Sequence, residues 1–233
     1  MSMTNTSESH EYATAKDSTT EGAPRLTPQE SWNNLYSEKE QIWSGEPNKT
    51  LVSLIEHHQP TTVLDLGCGE GGDVLGLAQP GWQATGIDIS DVAVNRARQA
   101  AEHAGAQAEF VAADLSDWRT DKTFDLIISS FMQSHFDELD RLGIFREALD
   151  YLNVGGELVS VSHASMPSFV KADDPRHKHA VNLPDPLAEA YALTENNESF
   201  QVVIAEKRSR TVTSPEGEGG TIDDGVMVIR RVK

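Results

Sequence analysis

The stretch VLDLGCGEGGDV, Val63 to Val74, sets two kinds of chemistry side by side. Gly67, Gly69 and Gly72 fit G-x-G-x-x-G, a loop in which missing side chains let backbone N–H groups approach an anionic group at a helix start. Yet Asp65 precedes the first glycine and Glu70 lies inside the loop. Two ligand classes fit. One is a dinucleotide such as NAD, with its pyrophosphate on the glycines; the other is S-adenosylmethionine, with its amino-acid part there. Carboxylates repel a pyrophosphate and attract a ligand carrying an ammonium and a sulfonium, more strongly where water is scarce. Asp65 and Glu70 therefore favour the cationic ligand. Asp88, in GIDIS, suits both classes because it can accept hydrogen bonds from ribose hydroxyls. Asp114, in VAADLSDW, can receive the exocyclic amine of adenine, where the dinucleotide fingerprint makes no demand. Plain readings stand beside these. Asp65 can cap the following helix, Asp88 can be a turn residue, and Asp114 can be a loop carboxylate like Asp117 and Asp121 nearby. Cys68 reads as a small packing residue rather than a nucleophile.

Two histidines are candidate general bases. His135 follows the strand FDLIISSF and His163 ends the strand ELVSVSH. Both fall on the side where open α/β sheets bind ligands, and a histidine there can take a proton near neutral pH. His135 is preferred, because Phe131, Met132 and Phe136 around it form a partly apolar acceptor pocket. Each can equally be a satisfied polar residue. With His177 and His179 of RHKH they could in principle ligate zinc, but no spacing requires it, so no metal is expected. RHKH reads as a solvated face or a contact for an anionic substrate.

The elements that must position these groups alternate. TTVLDL is a buried strand stopped by glycine, and GGDVLGLAQP a helix ending near Pro80. ATGIDI is the second strand. Ser90 caps the helix DVAVNRARQAAEHA, which Gly105 closes. AEFVAA and FDLIISSF are the third and fourth strands. The helix DELDRLGIFREALDYL and the turn NVGG lead to the fifth. Such alternation predicts a parallel sheet with helices on both faces. Residues 164–199 break the pattern and read as a lid or insertion. FQVVIAEKR and GVMVIRRV then form an antiparallel hairpin.

Residues 1–26, rich in Ser, Thr and Glu, read as a disordered leader, and 27–233 as one domain. Trp32 and Trp43 can be core anchors, or Trp43 with Ser44 and Gly45 can fold over the cofactor. The net charge of −18 argues against a nucleic-acid partner. No apolar run reaches the ~18 residues of a membrane span. A single cysteine and no signal-peptide pattern suit the cytoplasm. The lone cysteine also speaks against C5-cytosine methylation, which needs a cysteine nucleophile, and SSFMQSHF lacks the Asn/Asp-Pro-Pro-aromatic motif of enzymes acting on planar nitrogens.

Taken in order, VLDLGCGEGG, GIDIS, AADLSDW, FDLIIS and LNVGGELVSV resemble a class I S-adenosylmethionine-dependent methyltransferase over Thr61 to about Ser162. The leading WNNLYSEKEQIWSGEPN is similar to a bacterial subgroup close to tellurite-resistance and thiopurine-type methyltransferases. The resemblance implies a Rossmann-like, seven-stranded, mostly parallel sheet whose last strand is antiparallel. It implies that Asp65, Gly67, Cys68 and Gly69 line the methionine end of the cofactor. Asp88 would hold the ribose with Ile89 beside the adenine; Asp114 and Leu115 would hold the adenine, Ser130 would open toward the reacting sulfur, and Trp43 would cap the site. The reaction would be in-line methyl transfer to a small-molecule N, O, S or chalcogen acceptor. A nicotinamide-dependent dehydrogenase on the same loop and a non-catalytic nucleotide sensor are the alternatives.

Overall fold

The computed structural model describes residues 26–59, 61–134, 139–171, 173–174, 183–214 and 216–233. Seven strands form one sheet in the order β3-β2-β1-β4-β5-β7-β6. They are β1 (Thr62–Leu66), β2 (Gln83–Asp88), β3 (Ala108–Ala112), β4 (Phe124–Ser130), β5 (Leu152–His163), β6 (Phe200–Thr213) and β7 (Gly219–Arg231). Neighbours among β1 to β5 pair in parallel, while β7 is antiparallel to both β5 and β6. The sheet and its hairpin are those expected from the sequence. Strand order reverses beside β1, so a crevice opens beyond the carboxyl ends of β1 and β4.

Side chains alternate across the strands and make two cores. Val63, Leu126, Ile128, Val159 and Val161 meet α2 (Lys49–Ile55), α3 (Gly72–Ala78) and α4 (Asp91–Ala104) on one face. Leu64, Leu66, Ile127 and Leu158 meet α5 (Arg141–Asp150) on the other. Ser90 caps α4 through its hydroxyl, and Gly105 ends it in the left-handed region at φ +61°. Helix α5 starts later than the sequence pattern suggests, because Asp140 accepts from the Gly143 N–H and fixes the first turn there. The NVGG turn is a four-residue excursion inside β5: Phe124 pairs with Leu152, then Leu126 with Glu157.

The lid reading of residues 164–199 narrows. Its end is helix α6 (Pro186–Thr194), whose Ala190 and Leu193 are buried in the second core. Its start is tied to β7, since Ala164 and Ser168 donate to the carbonyls of Asp223 and Thr221. His177 and His179 lie outside the described residues, as does nearly all of the leader 1–26. No helix among the described residues is long and apolar enough to cross a membrane.

Helix α1 (Pro28–Ser37) precedes the sheet and packs on α4. Thr27 and Glu30 close a capping box around its first turn, with Pro28 at the first helical position. Gln29, Asn33 and Tyr36 recur at helical spacing on one face. That face meets the end of β2: Gln29 donates to the Ile89 carbonyl and the Ser90 hydroxyl to Asn33.

Candidate functional site

The glycine loop lies where β1 ends. Gly67, Gly69 and Gly71 have φ of +76°, +50° and +85°, conformations that side chains with a Cβ resist. Gly71 is thus a turn glycine the G-x-G-x-x-G spacing does not single out. Gly72 is the first residue of α3, where a Cβ would stand 3.1 Å from the Glu46 carbonyl oxygen. The N–H groups of Gly67 and Cys68 both donate to the Ile87 carbonyl, which binds the loop to β2. The Cys68 side chain is buried, and a Cβ at Gly86 would lie 2.8 Å from its sulfur. Burial pushes its thiol well up, as befits a packing group.

Asp88 is only 8 % exposed, and one oxygen accepts from Gly69 N at 2.8 Å while the other accepts from Ser90 N at 2.9 Å. It fastens the glycine loop to the start of α4. Burial still raises its carboxyl above the ordinary value, against those two N–H groups. Asp65 is 3 % exposed and its Oδ1 is buried without a hydrogen-bond partner. Burial, then the charges of Asp73 and Asp88, push its carboxyl well above the usual carboxylate range. An acid capping a helix would accept from that helix's N–H groups, yet the N-cap of α3 is Gly71 with no side-chain cap. The capping role for Asp65 is therefore absent.

Glu70 requires a correction. It does not line the ligand side of the loop as a charge for the cofactor. Its Oε2 accepts from the N–H groups of Ile42 and Trp43, each at 3.0 Å, and its Oε1 from Arg96 at 2.8 Å. Arg96 also donates to the Lys39 carbonyl. Glu70 is the clasp that holds the segment after α1 onto the loop. Trp43 is placed accordingly. It is 37 % exposed, so not a core anchor, and its indole N–H donates to the Tyr36 hydroxyl at 3.0 Å. A Cβ at Gly69 would lie 2.9 Å from the Tyr36 oxygen and 3.4 Å from the Trp43 nitrogen, so both cover that glycine. Burial, then the Asp88 charge, push the Tyr36 phenol well above its usual range, which keeps it a neutral hydrogen-bonding group.

The remaining expected residues are distributed around this centre. Ser130 ends β4, and its hydroxyl oxygen is buried without a hydrogen-bond partner. Met132 covers Gly67, with its Cγ 3.1 Å from where a Cβ would be. Ile89 is half-buried at the end of β2 and Leu115 packs against the second core. Asp114 is exposed, and its Oδ1 accepts from the Ser116 N–H and hydroxyl, which is a loop-turning role for that oxygen.

His135 lies outside the described residues. His163 ends β5, its ring stacked on Phe131 at 4.2 Å. Phe131 has φ +54°, an uncommon conformation for a bulky side chain. The His163 N–H donates to the Gln133 side chain. Its Nδ1 faces Asp224 Oδ1 at 3.5 Å, and Asp224, 1 % exposed, accepts from Arg210 at 2.7 Å through its other oxygen. Burial alone would raise the Asp224 carboxyl; His163 and Arg210 hold it below its ordinary value. Arg141 braces the same turn, donating to the Met132 carbonyl at 2.6 Å while paired with Glu189 of α6. Sequence spacing gives no signal for Tyr36, Arg96, Arg141, Arg210 or Asp224. Among the described residues, His57, His58 and Glu157 lie close enough to share a metal ion, and Glu157 already accepts from His58 and Arg230.

This strand order, with a glycine loop after β1 and an acid after β2, defines the class I methyltransferase fold. By sequence, residues 63–156 match a family of methyltransferase domains. The chain is 33 % identical over 138 residues to ribosomal RNA small subunit methyltransferase C of Cronobacter sakazakii, covering 56 % of this chain and 40 % of that one. It is 30 % identical over 171 residues to phosphoethanolamine N-methyltransferase 3 of Arabidopsis thaliana, covering 70 % of this chain and 34 % of that one. The chain thus spans two fifths or less of the length of these curated relatives. The crystal structure of TehB from Haemophilus influenzae superposes with a TM-score of 0.62 at 18 % identity, over 85 % of this chain and 66 % of that chain. Residues 63–156 thus match a methyltransferase domain, and the sheet that contains them has the class I methyltransferase fold.

Proposed function

We propose that the protein transfers the methyl group of S-adenosylmethionine to a small molecule with an N, O, S or chalcogen acceptor. One observation carries this reading: a buried, unpartnered Asp65 oxygen in a loop crevice that also holds Asp73 and Asp88, with none of the three in an ion pair among the described residues. Such a crevice suits an ammonium-bearing cofactor and would repel a pyrophosphate, so the dehydrogenase alternative loses support. Asp65, Gly67, Cys68 and Gly69 would hold the amino-acid end, the last three through the backbone. Asp88 would meet the ribose, and Ile89, Leu115 and Asp114 the adenine. Trp43 and Tyr36 would exclude water from above. When bound, the cofactor supplies a methyl group activated by the positive sulfur. The chain's part is to align the acceptor behind that methyl and to keep water out.

Phe131, Met132 and His163 form the acceptor side, with Ser130 between it and the loop. His163 would take the proton of an alcohol or protonated amine, as would His135; a thiolate needs no base. The net charge of −18 favours a small acceptor over RNA, although a ribosomal RNA methyltransferase is among the relatives. The lone buried cysteine suits a reducing cytoplasm. Calorimetry with S-adenosylhomocysteine and NAD tests the cofactor, with micromolar binding of the first only as the expected result. Labelled-methyl transfer across an acceptor panel tests turnover, and none in the presence of bound cofactor would leave a sensor.

A further inference from the structure

Asp73 is an acid to which the proposed function gives no contact of its own. It lies in the first turn of α3, where an acid ordinarily serves its own helix. Here its Oδ1 instead accepts from the N–H of Asn48, 25 residues earlier, at 2.6 Å. It is surrounded by protein yet still partly open to solvent, as a group lining a crevice would be. Its neighbours hold it rigidly. A Cβ at Gly76 would lie 2.7 Å from Pro47, and one at Gly72 3.1 Å from the Glu46 carbonyl, so the segment before Asn48 is packed directly on α3.

Asp73 is also the charge that acts most strongly on Asp65. The two flank the glycine loop, Asp65 near the end of β1 and Asp73 in the first turn of α3, and neither forms an ion pair with a lysine, arginine or histidine among the described residues. One of them, at 3 % exposure, keeps a buried oxygen with no donor. A missing donor must come from a ligand, and it must carry N–H or O–H groups as well as positive charge to offset both acids. A sulfonium has the charge but no hydrogen to donate. A primary ammonium has both, with three donors to distribute.

We propose that Asp73 and Asp65 together bind the α-ammonium of the cofactor's amino-acid part, Asp73 being a second recognition carboxylate held in place by the Asn48 N–H. The proposal rests on the cofactor reading above and extends it to a residue outside the glycine pattern. It also links occupancy to the leading segment, because the same carboxylate grips the Asn48 N–H.

The test compares two probes on the full chain by calorimetry. S-adenosylhomocysteine carries the ammonium; 5′-methylthioadenosine keeps adenosine and thioether but has no amino-acid part. Asp73→Asn should weaken S-adenosylhomocysteine at least about tenfold, the scale of a charged hydrogen bond lost, and change methylthioadenosine by less than about twofold. Equal weakening of both probes would mean that Asp73 only anchors the leading segment, which overturns the proposal. A second measurement needs no variant. Calorimetry at mildly acidic pH in buffers of differing ionisation enthalpy should show more proton release with S-adenosylhomocysteine than with methylthioadenosine, because the ammonium ionises the two acids; equal release would overturn the proposal. Stabilisation of the wild-type chain by MnCl2 alone, lost in Asp73→Asn, would make this a metal site and overturn it too. Failure of the wild-type chain to bind either probe would instead strike the cofactor reading and take this proposal with it.

Discussion

Replacing Glu70 by alanine should release the segment after α1 from the glycine loop. The carboxylate receives two backbone N–H groups, from Ile42 and Trp43, and the Arg96 guanidinium. Hydrogen bonds to a charged group contribute about 1.5–3 kcal/mol each. Water reaches this segment, since Trp43 is 37 % exposed, so the lower part of that range applies to the freed N–H groups. The Arg96 pair, with side chains 25 % and 7 % exposed, adds about 0–1 kcal/mol. A loss of about 3–4 kcal/mol in local closing follows, which is roughly a 150- to 700-fold rise in the open population. Hydrogen exchange read by mass spectrometry over residues 38–48 should accelerate by that factor, while the strand amides of β1 and β4 hardly change. S-adenosylhomocysteine should bind about tenfold or more weakly, because Trp43 and Tyr36 would no longer cover Gly69. Glu70→Gln, which keeps an acceptor but no charge, should fall between. Unchanged exchange over 38–48 in Glu70→Ala would refute the clasp.

Asp88→Ala should weaken S-adenosylhomocysteine by about 1–3 kcal/mol in calorimetry and speed exchange at Gly69, because the carboxylate holds that N–H and, in the proposed function, would also meet the ribose. Asp65→Asn should raise the melting temperature of the cofactor-free chain at pH 7 and abolish tight cofactor binding. With its folded pKa raised above 3.8, Asp65 favours the fold fully only below that value, and the contribution is lost as pH rises through the raised folded pKa. Asp224 has the opposite sign. Its folded carboxyl is held below 3.8, so it stabilises above that pH, and the melting gap between wild type and Asp224→Asn should shrink as pH falls below it. His163→Ala should cut turnover about 10²–10⁴-fold for an alcohol or protonated amine, with S-adenosylhomocysteine affinity nearly unchanged; parallel loss of both would place His163 in the fold rather than the reaction.

The parts legible in the sequence are those that local chemistry dictates. Buried strands read as short apolar runs because both faces of β1 and β4 are covered, and Ser90 and Gly105 mark the ends of α4 because a hydroxyl and a left-handed glycine satisfy its free backbone groups. The glycine loop and Asp88 are visible for the same reason, as the turn falls in one strand–loop–helix unit and the acid at the strand end of the next. What a given carboxylate meets was not visible. Glu70 and Asp65 stand five positions apart with the same charge, yet one clasps Trp43 from 27 residues away and the other keeps a buried oxygen unpaired. Asp73 reads as an ordinary helix-start acid until Asn48 is brought to it, and Asp224 becomes the partner of His163 only because β7 runs antiparallel beside β5. Sequence fixes which groups carry charge and which backbone turns are possible; the packing of distant segments decides which charges are neutralised by the protein, and so which are left for a ligand.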